Sequence, residues 1–256
     1  MRKLKKLVCI SLLVCFFLLP GMNLKPALAS SPYSPSLEAA DLEIFLDKVI
    51  EEQMKEFNIP NLTVSVVADG EVILARGYGY ENIEEGKAVG PDKTMFRIGS
   101  ASKPFTWTAV MQLVEQGKLD LDADVNEYLD FEIPSSLEYG KKQTVEPITL
   151  RHLMSHTPGF EDYMTRVFNL SEEDLLPLHR YIREERPARV FPPGEVTAYS
   201  NYGTALAGYI VEVVSGIPFS QYVEENIYKP LGMDNSTFRQ PLPANLAENM
   251  SQAYQK

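Results

Sequence analysis

Two polar motifs, each placed directly before a long apolar segment, constrain this chain more than any other feature. Ser100-Ala-Ser-Lys103 precedes a segment with apolar residues at helical spacing, and Tyr199-Ser-Asn201 precedes a second apolar segment that ends at Gly216. We predict a helix after each motif. Together the motifs supply a hydroxyl, two candidate bases and an amide side chain. That set is nearly complete for acyl transfer without a catalytic histidine.

The first motif brings an amine close to a hydroxyl. A serine hydroxyl needs a neighbouring base to act as a nucleophile, and residues three apart on a helix lie on nearly the same face. Pro104 suits a first helical turn but biases Lys103 away from helical dihedral angles. We expect the backbone N–H of Ser100, at a helix N-terminus, to help hold an oxyanion. Taken alone the motif is weak, because a Ser-x-x-Lys occurs by chance about once in a chain of this length.

The second motif has a duplicate elsewhere in the chain. Tyr80-Glu-Asn82 follows a predicted strand, and we interpret it as structural. Tyr199-Ser-Asn201 follows a Pro-Pro-Gly turn and opens a helix. A nearby ammonium lowers the pKa of a phenol from about 10, so Lys103 and Tyr199 could share a proton beside Ser100. The amide of Asn201 suits a substrate amide. The alternative is a tyrosine that anchors a loop and an asparagine that caps a helix.

Several further motifs occur in a fixed order around these two. The chain resembles the serine β-lactamase and penicillin-binding protein superfamily, and most closely the branch with class C β-lactamases, D-alanyl-D-alanine carboxypeptidases and family VIII esterases. The matching segments are Phe96-Arg-Ile-Gly-Ser-Ala-Ser-Lys103, Leu119-Asp-Leu-Asp-Ala-Asp-Val125, Ile148-Thr-Leu-Arg-His-Leu-Met-Ser-His-Thr-Pro-Gly159, Pro193-Gly194, Tyr199-Ser-Asn201 and Pro230-Leu-Gly-Met233.

The resemblance assigns a role to each motif residue. It implies that Ser100 is the acylated nucleophile and that Lys103 takes its proton or tunes the site. It makes Tyr199 the base for acylation or for activating the hydrolytic water, and Asn201 the residue that binds the acyl-side amide. The substrate would be a small molecule or peptide: a D-alanyl-D-alanine-type peptide, a β-lactam or an ester. No cofactor is implied.

The resemblance also implies a Lys- or His-containing triad on a late β-strand. No such triad follows Tyr199 before the last residue, Lys256. The expected fold is α+β, with a helical domain and an antiparallel sheet lobe that is incomplete in this chain. We therefore expect a fragment or truncated form whose C-terminal strands are missing and whose isolated sheet lobe packs loosely. A two-stranded sheet is marginal in water.

The N-terminus has the pattern of a secretory signal. Residues 1–29 combine a basic start, an apolar run from Leu7 to Leu19 and Ala27-Leu-Ala29 as a cleavage site, which predicts an extracytoplasmic protein. An uncleaved anchor associated with the membrane is the alternative. Both cysteines lie in this segment, so the mature chain would have no thiol or disulfide. Removal of residues 1–29 would take away five of the 24 basic residues and none of the 35 acidic ones. The resulting formal charge of −16 argues against a nucleic acid partner.

The remaining chain divides by pattern into a short lead-in and one domain. Residues 30–36 are a linker and residues 37–256 a β-lactamase-like domain. Within it, residues 37–99 hold an amphipathic helix over 37–57, with Ile44 and Phe57 on or near its apolar face, and a hairpin turning at Asp69-Gly70. Residues 100–256 are predicted to be mainly helical.

Two rival interpretations come from other classes of protein. His152 and His156 have the spacing of metal ligands on a helix, but a leucine stands where a metalloprotease has glutamate and no further ligand completes a set. We therefore predict no metal and expect His156 to fix the turn before Gly159. The second rival is a penicillin-recognising sensor, or an inactive scaffold, that keeps Ser100 without turning over. Glu195 could act as a base that activates water, but we favour the interpretation that it is a solvated turn residue.

Overall fold

The computed structural model describes residues 39–140, 143–162 and 171–254. The predicted signal segment and linker therefore lie outside the described residues. The chain divides into two units between Val49 and Ile50, and every feature from residue 50 onward belongs to the second unit. Within the described residues the architecture is mixed α and β, with a small antiparallel sheet and a helical region, which confirms the predicted fold class.

The regular elements succeed one another in the order helix, sheet, helices. The α-helices are α1 (Ala39–Phe57), α2 (Lys103–Glu115), α3 (Leu150–Met154), α4 (Leu178–Glu184), α5 (Asn201–Ser215), α6 (Phe219–Val223) and α7 (Ala244–Ala247), and the strands are β1 (Asn61–Ala68), β2 (Glu71–Asn82) and β3 (Lys87–Ala88). Short 3₁₀ turns cover Gly99–Ser102, Val125–Glu127 and Glu172–Asp174, and a π turn covers Glu224–Tyr228.

Helix α1 is present where the apolar period predicted it; residues 37 and 38 of the predicted helix lie outside the described residues. Its apolar side chains are less buried than an amphipathic pattern implies, because Ile44 is 70% exposed and Phe57 is 60% exposed. The pattern therefore predicted the helix but not the environment of its apolar side chains.

The predicted hairpin forms as an antiparallel pair. Strands β1 and β2 pair in register from Asn61 opposite Gly79 to Ala68 opposite Glu71. Asp69 and Gly70 at the turn both have positive φ, 52° and 83°, as a type I′ turn requires. Strand β3 adds a two-residue third strand on the β2 side, giving the order β1-β2-β3. The sequence analysis did not anticipate β3, which is too short to have a pattern.

The hydrophobic core lies in the helical region, where α2 packs against α5. Ala109, Val110 and Leu113 of α2 are buried, as the helical spacing predicted. From α5, Leu206 and Ile210 are fully buried in the same cluster. The prediction of a mainly helical region after residue 100 is only partly right, since long irregular connections separate α2 from α3 and α4 from α5.

A buried arginine holds those irregular connections together. Arg189 is 1% exposed and donates from its guanidinium to the backbone carbonyls of Pro134 at 2.6 Å and Glu146 at 2.9 Å. Burial lowers the pKa of Arg189, and the nearby Asp124 carboxylate opposes that effect. Backbone carbonyls in buried loops need donors, which helices would otherwise supply internally. One side chain thus replaces helical hydrogen bonds in this part of the molecule.

The described helices were compared with the length and apolar composition that a membrane span requires. No single helix there is both long and apolar enough to cross one. Only α5 taken together with Phe219–Tyr228 meets the length and composition, and these two segments meet at an angle of 81°.

Candidate active site

The first motif lies at the junction of a 3₁₀ turn and an α-helix. Ser100 is in the turn Gly99–Ser102, and α2 begins at Lys103, whose backbone N–H donates to the Ser100 carbonyl. Side chains three apart on a 3₁₀ turn are eclipsed, so Ser100 and Lys103 project from the same side. Lys103 has φ −58° and ψ −37°. Our expectation that Pro104 would disfavour a helical Lys103 is therefore wrong; the surrounding turn overrides that local bias.

The second motif begins α5. Asn201 is the first residue of the helix, and the helix ends at Gly216, which has φ +76°. The residue that caps the helix is Ser200, whose Oγ accepts a hydrogen bond from the backbone N–H of Gly203 at 2.9 Å. The alternative in which Asn201 caps the helix is thus wrong, and the side chain of Asn201 is left for other contacts.

The fold brings the four predicted site residues into direct contact. The Tyr199 hydroxyl donates to Ser100 Oγ at 2.7 Å, and Lys103 Nζ donates to the same oxygen at 3.1 Å. Lys103 Nζ also donates to Asn201 Oδ1 at 2.9 Å. Ser100 and Tyr199 are 99 residues apart in the chain. A hydroxyl contacted by both a phenol and an amine can transfer its proton as its oxygen attacks an electrophile.

Charge in the site favours ionisation of the phenol. Hydrogen bonding from Lys103 is the main cause that lowers the pKa of Tyr199, and the Ser100 hydroxyl adds to it, while burial and Asp162 act in the opposite direction. Lys103 Nζ also lies 4.7 Å from the centre of the Tyr199 ring. Tyr199 is 46% exposed, so the residue that contacts Ser100 Oγ lies at the surface of the protein.

The contacts of Asn201 define which of its groups can meet a substrate. Its carbonyl oxygen accepts from the Lys103 ammonium, which can only donate. The side-chain NH₂ is consequently the group of Asn201 that can donate to a carbonyl oxygen outside the protein. Towards a carbonyl oxygen outside the protein, Asn201 can therefore act only as a donor.

His156 holds Tyr199 in place, a contact that the sequence analysis missed. His156 Nδ1 accepts from the backbone N–H of Ser200 at 3.1 Å, and its carbonyl oxygen accepts from the N–H of Ala198 at 2.8 Å. The imidazole packs against the Tyr199 ring at a centroid distance of 4.5 Å. His156 has φ +56°, a conformation that histidine tolerates better than most residues. In the sequence, the only indication of this contact with Tyr199 is the position of the histidine just after a short helix.

The other residues considered from the sequence lie away from these contacts. His152 Nδ1 accepts from the backbone N–H of Thr149 within the α3 capping box, and His156 Nδ1 accepts from that of Ser200. Among the residues that the structure describes, no group of three or more His, Cys, Asp or Glu could hold a metal. Tyr80 lies in β2. Glu195 is exposed in a turn.

The sequence matches a known protein family over most of its length. Residues 46–252 match the beta-lactamase family, which is most of the chain. The chain belongs to the beta-lactamase family. Within this family it has a serine hydrolase fold related to class C β-lactamases, penicillin-binding proteins and family VIII esterases. The resemblance inferred from the motifs is therefore confirmed.

Two curated relatives are informative. Esterase EstB of Burkholderia gladioli is 30% identical over 232 residues, which cover 86% of this chain and 58% of the esterase. Protein flp of Staphylococcus aureus (strain N315) is 28% identical over 200 residues, which cover 76% of this chain and 38% of that protein. The chain thus spans about 40 to 60% of the length of these curated relatives.

Solved structures of the family share the fold. EstCE1, described as a hydrolase with promiscuous acyltransferase activity, superposes with a TM-score of 0.72 at 28% identity, covering 86% of this chain and 58% of EstCE1. A class C β-lactamase in complex with cefoxitin gives a TM-score of 0.67 at 25% identity, covering 86% and 57%. Relatives in the family therefore include one that binds a β-lactam and others named as an esterase or a hydrolase.

Proposed function

We propose that the protein is a serine hydrolase that acts through a covalent acyl-serine on Ser100. The observation that carries the proposal is the pair of contacts on Ser100 Oγ, from the Tyr199 hydroxyl at 2.7 Å and from Lys103 Nζ at 3.1 Å. Lys103 and Tyr199 act together as the base, and Asn201 donates from its NH₂ to a carbonyl on the acyl side of the substrate.

The proposed acylation step moves one proton and exchanges one bond. Ser100 Oγ attacks the carbonyl carbon, and its proton passes to the Tyr199–Lys103 pair. As the Oγ–C bond forms, the C–N bond of a lactam or peptide, or the C–O bond of an ester, breaks. The leaving nitrogen or oxygen takes the proton from the pair. Water then hydrolyses the acyl-serine and restores the Ser100 hydroxyl.

The first substrate class to test is a β-lactam or a peptide ending in D-alanyl-D-alanine. The class C relative bound to cefoxitin supports the β-lactam side of this proposal. The second class is a carboxylic ester, which the similarity to EstB and EstCE1 favours. A third outcome is a sensor that becomes acylated by a penicillin and releases it very slowly. All three share the Ser100 nucleophile and differ in the fate of the acyl-serine.

Intact-protein mass spectrometry after incubation with benzylpenicillin tests the nucleophile. We expect one added penicillin mass, carried by the peptide that contains Ser100. Ser100→Ala should abolish the adduct. Ser102→Ala is the matched control, because the Ser102 hydroxyl donates to the Gly99 carbonyl at 2.8 Å within the turn, and this variant should keep the adduct. An adduct that survives Ser100→Ala, or none in the unmodified chain with either a penicillin or an activated ester, would overturn the proposal.

The lifetime of the adduct separates the three outcomes. A transient adduct with accumulating hydrolysed penicillin is expected of a β-lactamase, and a persistent adduct of a sensor. Turnover of a nitrophenyl ester without any penicillin adduct is expected of an esterase. We further propose an extracytoplasmic location, supported by the signal pattern of residues 1–29. Retention of the unprocessed chain in the cytoplasm of a secretion-competent host would contradict it.

A further inference from the structure

The loop that carries Tyr199 is docked along the segment that follows α3. This loop, residues 188–200, is called here the Tyr199 loop. Backbone hydrogen bonds join it to the segment: the N–H groups of Val190, Gly194 and Ala198 donate to the carbonyls of Gly159, Thr157 and His156, each at 2.8 Å. Backbone N–H and C=O groups do not exchange charge with solvent over the ordinary pH range. This part of the docking is therefore independent of pH.

The hydrogen bond nearest to α5 is of a different kind. The Ser200 N–H donates to a side-chain atom, His156 Nδ1, at 3.1 Å. A backbone N–H can only donate, so this bond requires a neutral imidazole that carries its proton on Nε2. A proton added at Nδ1 would set one donor against another. Because Ser200 is 3% exposed, its N–H would then lack a partner in a buried place.

This titratable bond lies directly beside the proposed base. Tyr199 precedes Ser200, and its ring packs against the His156 imidazole at a centroid distance of 4.5 Å. Lys103 Nζ is 4.7 Å from the centre of the same ring, so a protonated His156 would add a second cation close to it. The Tyr199 hydroxyl donates to Ser100 Oγ at 2.7 Å. Loss of the bond at Ser200 would therefore loosen the contact with the nucleophile.

The charged and titratable groups around the imidazole favour its neutral form at pH 7. Burial, and then the charge of Lys103 on α2, lowers the pKa of His156 from its ordinary value of about 6.5. From the Tyr199 loop, the phenol of Tyr199 faces the ring, and Asp162 raises the pKa of that phenol. His152, four residues earlier in the chain, has its own Nδ1 bonded to a backbone N–H. His156 thus gains its proton only in acidic solution.

We propose that His156 is a reversible acid switch: when its imidazole gains a proton at Nδ1, the Ser200 N–H is released, Tyr199 leaves Ser100 Oγ and acylation slows. The backbone bonds of residues 190–198 keep the Tyr199 loop docked meanwhile, so the change is confined to its end. The proton comes from solvent and returns to it, and no other reactant is needed. The inference goes beyond the proposed function and rests on it for the chemistry at Ser100.

Nuclear magnetic resonance of the isotope-labelled full chain tests the switch without any substrate. The chain has three histidines, and comparison with His156→Asn identifies the signals of His156. We expect the Nε2–H tautomer of His156 at about pH 7.5, and a Ser200 amide signal that shifts with the same midpoint as the His156 ring. An Nδ1–H tautomer at that pH, or a Ser200 amide that does not respond to the His156 titration, would overturn the inference.

Acylation rates with benzylpenicillin or a nitrophenyl ester, measured across the pKa of His156, test the switch in catalysis. The readout is the ratio of the wild-type rate to the His156→Asn rate, because titration of the Lys103–Tyr199 base affects both and cancels. Asparagine tolerates positive φ and offers an acceptor that gains no proton. We expect a constant ratio above the pKa of His156 and a fall of up to about tenfold per pH unit below it.

His152→Asn is the matched control for the loss of a histidine. His152 Nδ1 also accepts from a backbone N–H, that of Thr149 at 3.2 Å, but this bond lies within α3 and its cap. The His152→Asn rate, divided by the His156→Asn rate, should therefore fall in acid as the wild-type ratio does. The wild-type rate should also recover fully when the sample returns to about pH 7.5, because the docked loop is preserved.

The results separate the two proposals. If Ser100 is acylated but the ratio stays flat through the pKa of His156, or the lost rate does not recover, the switch is wrong and the proposed function stands. If no substrate acylates Ser100 at any pH while the Ser200 amide follows His156, the proposed function fails and the coupling of His156 to the Tyr199 loop stands. If the rate ratio and the Ser200 amide share one midpoint, both proposals stand.

Discussion

Replacement of His156 is the sharpest test of how the structure holds Tyr199 against Ser100. His156→Phe keeps an aromatic ring against Tyr199 but removes the Nδ1 acceptor of the Ser200 N–H. Ser200 is 3% exposed, so its N–H would be left buried without a partner, at a cost of about 1–3 kcal/mol. The positive φ of His156 suits phenylalanine poorly and adds to the loss.

His156→Asn is the matched variant that separates the hydrogen bond from the ring contact. Asparagine tolerates positive φ and offers Oδ1 as an acceptor, while it loses an aromatic contact worth about 0.5–1.5 kcal/mol. We therefore expect stability to fall in the order wild type, Asn, Phe. Urea unfolding followed by circular dichroism measures the order, and the penicillin acylation rate of each variant should fall in the same order. A Phe variant at least as stable as the Asn variant would refute the reasoning, since ring packing would then dominate.

The same contact predicts how stability depends on pH. Burial, and then the charge of Lys103, lowers the pKa of His156, whose ring packs against that of Tyr199. A pKa below the unfolded value of about 6.5 means that stabilisation is complete above that pH and is lost as pH falls through the folded pKa. His152, whose pKa is also lowered by burial, has the same sign. His156→Asn should therefore remove part, but not all, of the decrease in unfolding free energy between about pH 7 and 5. An unchanged slope of unfolding free energy against pH in this variant would contradict the prediction.

Two further predictions concern the turn at Gly159 and the proposed base formed by Lys103 and Tyr199. Gly159→Ala would place a Cβ 2.0 Å from a backbone oxygen at φ +79°, whereas Gly117→Ala, at φ +68°, meets nothing within 4 Å. Both substitutions carry the strain of positive φ, so the difference between their losses of unfolding free energy isolates the clash. We expect Gly159→Ala to lose over about 1 kcal/mol more than Gly117→Ala in urea unfolding. Equal losses of unfolding free energy would rule out the clash. Because Lys103 is the main cause of the lowered pKa of Tyr199, Lys103→Met should slow acylation by at least about 10²-fold. The rising limb of the pH–rate profile should also shift to higher pH, towards the ordinary phenol pKa of about 10. A limb that stays in place would exclude Tyr199 as the titrating base.

Prediction from the sequence succeeded where the controlling interactions are local. The Asp69-Gly70 turn and the end of α5 at Gly216 both depend on positive φ at a single position. The contact of Lys103 with Ser100 depends on a spacing of three within one turn. Even there the local rule for Pro104 failed, because the 3₁₀ turn before α2 already fixes Lys103 as helical.

The relations between distant segments required the tertiary structure. The sequence offers two Tyr-x-Asn motifs, and the packing of α2 against α5 brings Tyr199 to Ser100 while Tyr80 stays in β2. The partnership of His156 with Ser200 has no local signal, since 44 residues separate them.

The sequence by itself determined the chemical groups of this protein and their order: a serine and a lysine on one turn, a tyrosine and an asparagine at the start of another helix. Local dihedral preferences and spacing are sufficient for that, because each operates within a few residues. Only the tertiary structure decided that Tyr199 and Lys103 both contact Ser100 Oγ and that Asn201 contacts Lys103. Those properties arise from which helices bury their apolar faces against each other, and burial is a property of the whole fold.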